Sequence, residues 1–184
     1  MQDLPPNWVQ IWTSPAWLRM IVSNTSPIYY LHQLGCLQVF RDLFGPVHTT
    51  PQVLAELEAG KVQGLNIPDL YALGGFVIQD IAVPSFLELI PDLGKGEASV
   101  LALALEHPGS FIIVDDRLGR EVAKAQNIRV TGTLGVLLLA KQSRLVASVG
   151  PLITQLHKHG FYCSRSVVTE VLRLAGEPVR RFDA

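Results

Sequence analysis

The chain has 184 residues, 48% of them hydrophobic and only 17% charged, with a net charge of −1. That length and apolarity fit one folded domain with a sizeable core and exclude a disordered chain. The near balance of charge excludes a strong basic field over the whole surface, while leaving room for a local basic face. Cys36 and Cys163 stand in unrelated segments with no metal-ligand spacing, so they read as reduced apolar residues of a cytoplasmic protein. The first residues show no secretory pattern, and no apolar run approaches the ~20 residues of a membrane helix. No membrane association is expected.

Residues 1–19 carry Trp8, Trp12 and Trp17 among Pro5, Pro6 and Pro15 and read as an N-terminal extension. Trp8 and Trp12 are one helical turn apart, which predicts a short helix laid on the domain or on a neighbouring subunit. Residues 20–184 form the domain proper. Met20–Ser23 predicts a strand; Ser26 is placed to N-cap a helix with Pro27 at its first position and Gly35 at its end. Leu37–Phe44 predicts a short helix closed by Gly45, and Val47–Thr49 a brief strand. Thr50-Pro51 opens a helix stopped by Gly60, with Val53, Leu54 and Leu57 inward and Glu56 at the edge of the buried stripe.

Residues 61–75 are irregular and predict a surface loop. Phe76–Ile81 predicts a strand at a sheet edge, and Pro84–Ile90 a short helix. Gly96 precedes a helical run that ends at Pro108, with Ala98, Leu101, Ala102 and Leu105 inward and Glu97 in the first turn. Phe111–Val114 then predicts a buried strand delivering Asp115 and Asp116 to its C-terminal edge. A helix over Leu118–Gln126 ends at Asn127, Ile128–Val130 is a short strand, and helices over 134–142, 149–158 and 166–175 complete the chain. Alternating short strands and helices predict an α/β fold with a central parallel sheet covered on both faces. Ligands of such sheets sit at the C-terminal edge.

Four carboxylates belong near that edge: Glu56, Glu97, Asp115 and Asp116. Gathered together they repel unless a cation lies between them. A hard divalent ion, Mg²⁺ or Mn²⁺, takes oxygen ligands and suits phosphodiester hydrolysis. Each acid also has a plainer reading. Glu97 would favour the positive end of a helix dipole, Glu56 would lie on a solvated helix face, and one of the two aspartates would cap a turn. Their joint placement favours the metal.

The blocks IVSNTSPI, PQVLAEL, GEASVLALA and IIVDDRLGREVAKAQNIRVTGTLGVLLLAK, spread over residues 20–175, resemble a PIN-like domain, and more narrowly the prokaryotic VapC-type toxin relatives. The resemblance implies a three-layer α/β/α sandwich and a Mg²⁺- or Mn²⁺-dependent ribonuclease acting on RNA, the toxin partner of a small antitoxin protein. Carried over by position, the family's second and third acids fall on Glu56 and Glu97, and its fourth on the Asp115-Asp116 pair, with Asp116 the ligand and Asp115 its support. Ser26 matches a polar position that helps order the site.

The family's first acid is Asn24 here. An amide oxygen can coordinate a metal but brings no charge and cannot act as a base. Two readings therefore stand: an active ribonuclease with Asn24 as a neutral fourth ligand, or a catalytically weakened module that binds RNA or a protein. Arg117, Arg120 and Lys124 are candidates for RNA phosphates or, equally, a solvated helix face. His157-x-His159 lacks helical metal-pair spacing and reads as surface. The apolar composition and the three tryptophans also suggest a homodimer.

Overall fold

The computed structural model describes residues 20–179. The expectations for the tryptophan-rich residues 1–19 lie outside the described residues. Five strands and ten helices follow one another in the described chain: β1 (Ile21–Ser23), α1 (Thr25–Gln33), α2 (Val39–Phe44), β2 (Val47–Thr49), α3 (Pro51–Val62), α4 (Leu70–Leu73), β3 (Phe76–Ile78), α5 (Ser85–Glu88), α6 (Lys95–Glu106), β4 (Phe111–Ile113), α7 (Arg117–Ala125), β5 (Arg129–Thr131), α8 (Thr133–Gln142), α9 (Gly150–Lys158) and α10 (Arg165–Leu174). All pairings are parallel, in the order β3-β2-β1-β4-β5. β3 lies at an edge, as its sequence predicts.

The central strands β1 and β4 are buried at every residue. Because successive side chains point to opposite faces, both faces must be covered. Helix α6 packs on β1 and β4 and against α3, α5 and α7, while α8 packs against β5, α1, α2 and α10. The eight residues from Thr133 to Ala140 are all buried, which places α8 in the interior. Helix α6 is likewise buried from Ala98 to Ala104. The predicted inward stripe of α6 was therefore too narrow, because neighbours close around the helix; Leu105 is only partly buried.

Several boundaries differ from the sequence reading. Helix α3 runs through Gly60 to Val62. A Cβ at Gly60 would press on Leu65 and Ile67 at 3.3 Å, so this glycine serves the packing of the returning chain, and the turn falls at Gly64 (φ +86°). Ser26 does not cap α1: the N-cap is Asn24, and Ser26 lies within the first turn. The stretch 61–75 contains α4, started by the Asp69 carboxylate, which accepts from the N–H groups of Tyr71 and Ala72. Each strand is only three residues long, so β3 stops at Ile78 and β5 begins at Arg129.

Candidate active site

Asn24 follows β1 directly and is fully buried. Its Nδ2 donates to Glu97 Oε1 at 2.8 Å, whereas its Oδ1 is buried with no hydrogen-bond partner. The opposite amide orientation would set an oxygen against the Glu97 carboxylate, so chemistry fixes the assignment.

Glu97 stands at the third position of α6, after Gly94 and Gly96. A Cβ on Gly94 would collide with Glu97 Oε2, and one on Gly96 would come within 2.7 Å of Glu56 Oε1 and Cδ. The two glycines thus make room for two carboxylates. Glu56 Oε1 accepts from the Gly96 N–H at 2.8 Å, and its Oε2 accepts from the Thr25 hydroxyl. Glu56 thereby ties α3 to the starts of α1 and α6.

Burial is the largest influence on Glu97 and pushes its pKa up. The charges of Glu56 and Asp116 push the same way, against hydrogen bonds from its own N–H and from Asn24. Glu56, Glu97 and Asp116 therefore share one electrostatic neighbourhood, although they are separated by up to 60 residues of sequence. Gly119 lies at the junction: a Cβ there would stand 3.4 Å from Glu97 Cγ and 3.6 Å from Asp116 Oδ2.

The two aspartates after β4 diverge. Asp116 is exposed and N-caps α7, its Oδ2 accepting from the Gly119 N–H at 2.7 Å. Asp115 turns inward and caps α8: Oδ1 accepts from Thr133 N at 2.7 Å and Oδ2 from Thr133 Oγ1 at 2.6 Å. Burial raises the Asp115 pKa, opposed by the two Thr133 bonds and the Arg120 charge. Arg120 itself donates from Nη1 to the Val114 carbonyl at 3.2 Å, and burial lowers its pKa despite Asp115. Gly132 leaves space for this pair, since a Cβ there would meet Asp115 Oδ1 at 2.6 Å and Arg120 Nη1 at 3.0 Å.

Of the predicted phosphate ligands, then, Arg120 is engaged internally. Arg117 is exposed and pairs with Glu121 at 3.0 Å, and Lys124 is exposed. The sequence reading missed Thr25 and Thr133, which hold Glu56 and Asp115. Their signals are in the sequence: Thr25 and Thr133 each stand two residues after the end of a strand.

The donors fit a hard cation. All are oxygens, and a buried amide oxygen with no partner costs about 1–3 kcal/mol unless a donor or an ion meets it. Yet among the described residues no three His, Cys, Asp or Glu side chains close into a metal cage. Both Glu56 oxygens and one Asp116 oxygen are instead taken by main-chain N–H groups and a hydroxyl. Of the site's oxygens, Asn24 Oδ1, the Glu97 oxygen not held by Asn24 and the second oxygen of Asp116 remain to hold an ion.

A family profile described as a PIN domain matches residues 20–177. The chain belongs to the PIN-domain family. Membership agrees with the parallel five-stranded sheet and brings a nuclease-like fold to the carboxylate edge. No curated protein and no solved structure matches this PIN domain. Among its described residues, no helix is long and apolar enough to cross a membrane.

Proposed function

We propose that this PIN domain is a divalent-metal-dependent endoribonuclease of the cytoplasm. The observation that carries the reading is that the charges of Glu56 and Asp116 both act on Glu97, which Asn24 holds through Nδ2 while its own amide oxygen stays buried and unpartnered. Glu97, Asp116 and Asn24 Oδ1 are the groups to hold Mg²⁺ or Mn²⁺, with Glu56 alongside. When bound, the ion supplies Lewis acidity at the RNA phosphodiester. Asp115 acts through position, fixing the segment that presents Asp116. A toxin role, a small antitoxin partner and a homodimer belong to the same reading. The sequence blocks support the first two and the apolar composition the third.

Mn²⁺-dependent cleavage of a labelled RNA by the wild type and by Glu97→Gln tests this. The substitution is expected to abolish cleavage. Equal rates in the two proteins would trace the activity to a contaminating nuclease and end the assignment.

Asn24 favours a second reading, a binding module with a weakened site, because the neutral amide already satisfies one Glu97 oxygen. Asn24→Asp separates the two readings. An inert wild type that becomes a nuclease on this substitution is a binder, whereas cleavage by both proteins makes Asn24 a working ligand.

A further inference from the structure

Charge is distributed unevenly along this chain. Between Glu121 and Glu170 there is no Asp or Glu, while Lys124, Arg129, Lys141, Arg144, Lys158 and Arg165 all fall there. Arg129 and Lys141 are bound to main-chain carbonyls. Lys158 and Arg165 are exposed and, among the described residues, have no carboxylate partner. They flank the loop 159–164 between α9 and α10.

At the centre of this loop Tyr162 is 91% exposed, while its neighbour Phe161 is 8% exposed. Phe161 is pinned: its N–H donates to the Leu156 carbonyl at 3.0 Å, and its ring stands edge-on to Tyr30 at 4.9 Å. On the other side, Cys163 Sγ lies 3.3 Å from His157 Nε2. Ser164 then caps α10 through the Val167 N–H. An exposed aromatic ring is thus presented by neighbours fixed on both sides, which lowers the ordering cost of binding.

The loop is joined to the helix that starts at the site through the Tyr30–Phe161 ring contact. Tyr30 belongs to α1, the helix that starts at the site, and the Asp115 charge acts on both Tyr30 and Cys163. An exposed aromatic ring on a pinned backbone, flanked in sequence by two exposed cations, is the combination that holds single-stranded nucleic acid without reading its sequence.

Resting on the ribonuclease reading above, we propose that the α9–α10 loop is the platform for the single-stranded RNA leaving the carboxylate site. A base stacks on Tyr162, and Lys158 and Arg165 hold the flanking phosphates.

The test is fluorescence anisotropy of a labelled octauridylate in EDTA, where binding is read apart from cleavage. Tyr162→Ala is expected to weaken binding roughly 5- to 150-fold, and Tyr162→Phe to stay within about twofold of wild type. Lys158→Ala combined with Arg165→Ala is expected to reduce the slope of log affinity against log salt by about 1.4, or about 0.7 for each phosphate no longer neutralised. Wild-type affinity and slope in all three variants would overturn the platform while leaving the ribonuclease reading intact. A wild type that neither binds the oligomer nor cleaves RNA with Mn²⁺ would remove the ribonuclease reading, and the platform with it.

Discussion

Glu56 Oε1 accepts the Gly96 main-chain N–H at 2.8 Å across 40 residues of chain. This bond sets the angle at which α3 and the start of α6 present their acids. It exists because position 96 has no side chain, since a Cβ there would occupy the space of the Glu56 carboxylate. What must give way on substitution is the far end of a flexible side chain, not the backbone.

Gly96→Ala is accordingly expected to separate activity from stability. Alanine favours a helix over glycine by roughly 0.5–1 kcal/mol, which offsets part of the charged hydrogen bond it displaces, about 1.5–3 kcal/mol. The melting temperature should stay within a few degrees of wild type. Cleavage should fall by about 100-fold, the scale of a misplacement near 1 Å. Thermal melts beside initial rates check this, and full activity would show that Glu56 needs no fixed position.

The carboxylate edge was legible in the sequence because an apolar strand ending in Asp115-Asp116 has few other uses, and because helix starts advertise themselves through Thr50-Pro51 and the glycines before Glu97. Which way each acid turned was not legible. Asp115 and Asp116 are adjacent, yet one caps the helix after the next strand and the other caps its own helix. That choice depends on Thr133 and Arg120, which folding alone brings near. Arg120 looked like a surface cation on a polar helix because α7 periodicity does not reveal that its guanidinium reaches back to the Val114 carbonyl. Ser26 carries a good capping signal, but the helix starts two residues earlier, with Asn24 at its N-cap and bonded to Glu97. Gly60 failed as a stop for a tertiary reason: the segment 65–67 folds back over it.

The raised Glu97 pKa makes the metal-free protein pH-dependent. A carboxyl whose folded pKa lies above its unfolded value binds more protons when folded, so its stabilising contribution is complete below the ordinary value of 4.5 and is lost as pH rises through the folded pKa. Melting temperatures in EDTA should therefore show Glu97→Gln gaining on wild type as pH climbs above 4.5. Mn²⁺ should stabilise wild type increasingly over the same window, because the ion needs the deprotonated form. A difference that stays flat with pH would mean that Glu97 is no more perturbed than an exposed glutamate.

Asn24→Asp replaces a donor to Glu97 with a like charge at hydrogen-bonding distance. Without metal the variant should melt several degrees lower at neutral pH, since two carboxylates sharing a site cannot both ionise cheaply. With Mn²⁺ the order should reverse, and calorimetry should show affinity tighter by about tenfold or more. Tenfold is about a third of the roughly 4 kcal/mol a pair of unit charges is worth at 4 Å and an effective dielectric of 20. Weaker metal binding in the variant would place the ion away from residue 24.

The double aspartate offers the sharpest contrast, because its members do different work on adjacent residues. Asp115→Ala removes both bonds to Thr133 at the start of the buried helix α8 and strips Arg120 of its counter-charge in a partly buried cleft. Leaving the buried Thr133 N–H and hydroxyl without their acceptor costs about 1–3 kcal/mol each, a large share of the stability of a domain this size. Asp116→Ala loses one exposed cap, worth about 1 kcal/mol, and should melt near wild type while losing Mn²⁺-dependent cleavage. Asp115→Asn keeps an acceptor for the Thr133 N–H and should recover part of the stability that alanine loses. Chemical denaturation of the three variants beside their cleavage rates decides the matter. If Asp116→Ala proves the unstable one and Asp115→Ala folds but fails to cut, the two roles are exchanged and the ligand to the ion is Asp115.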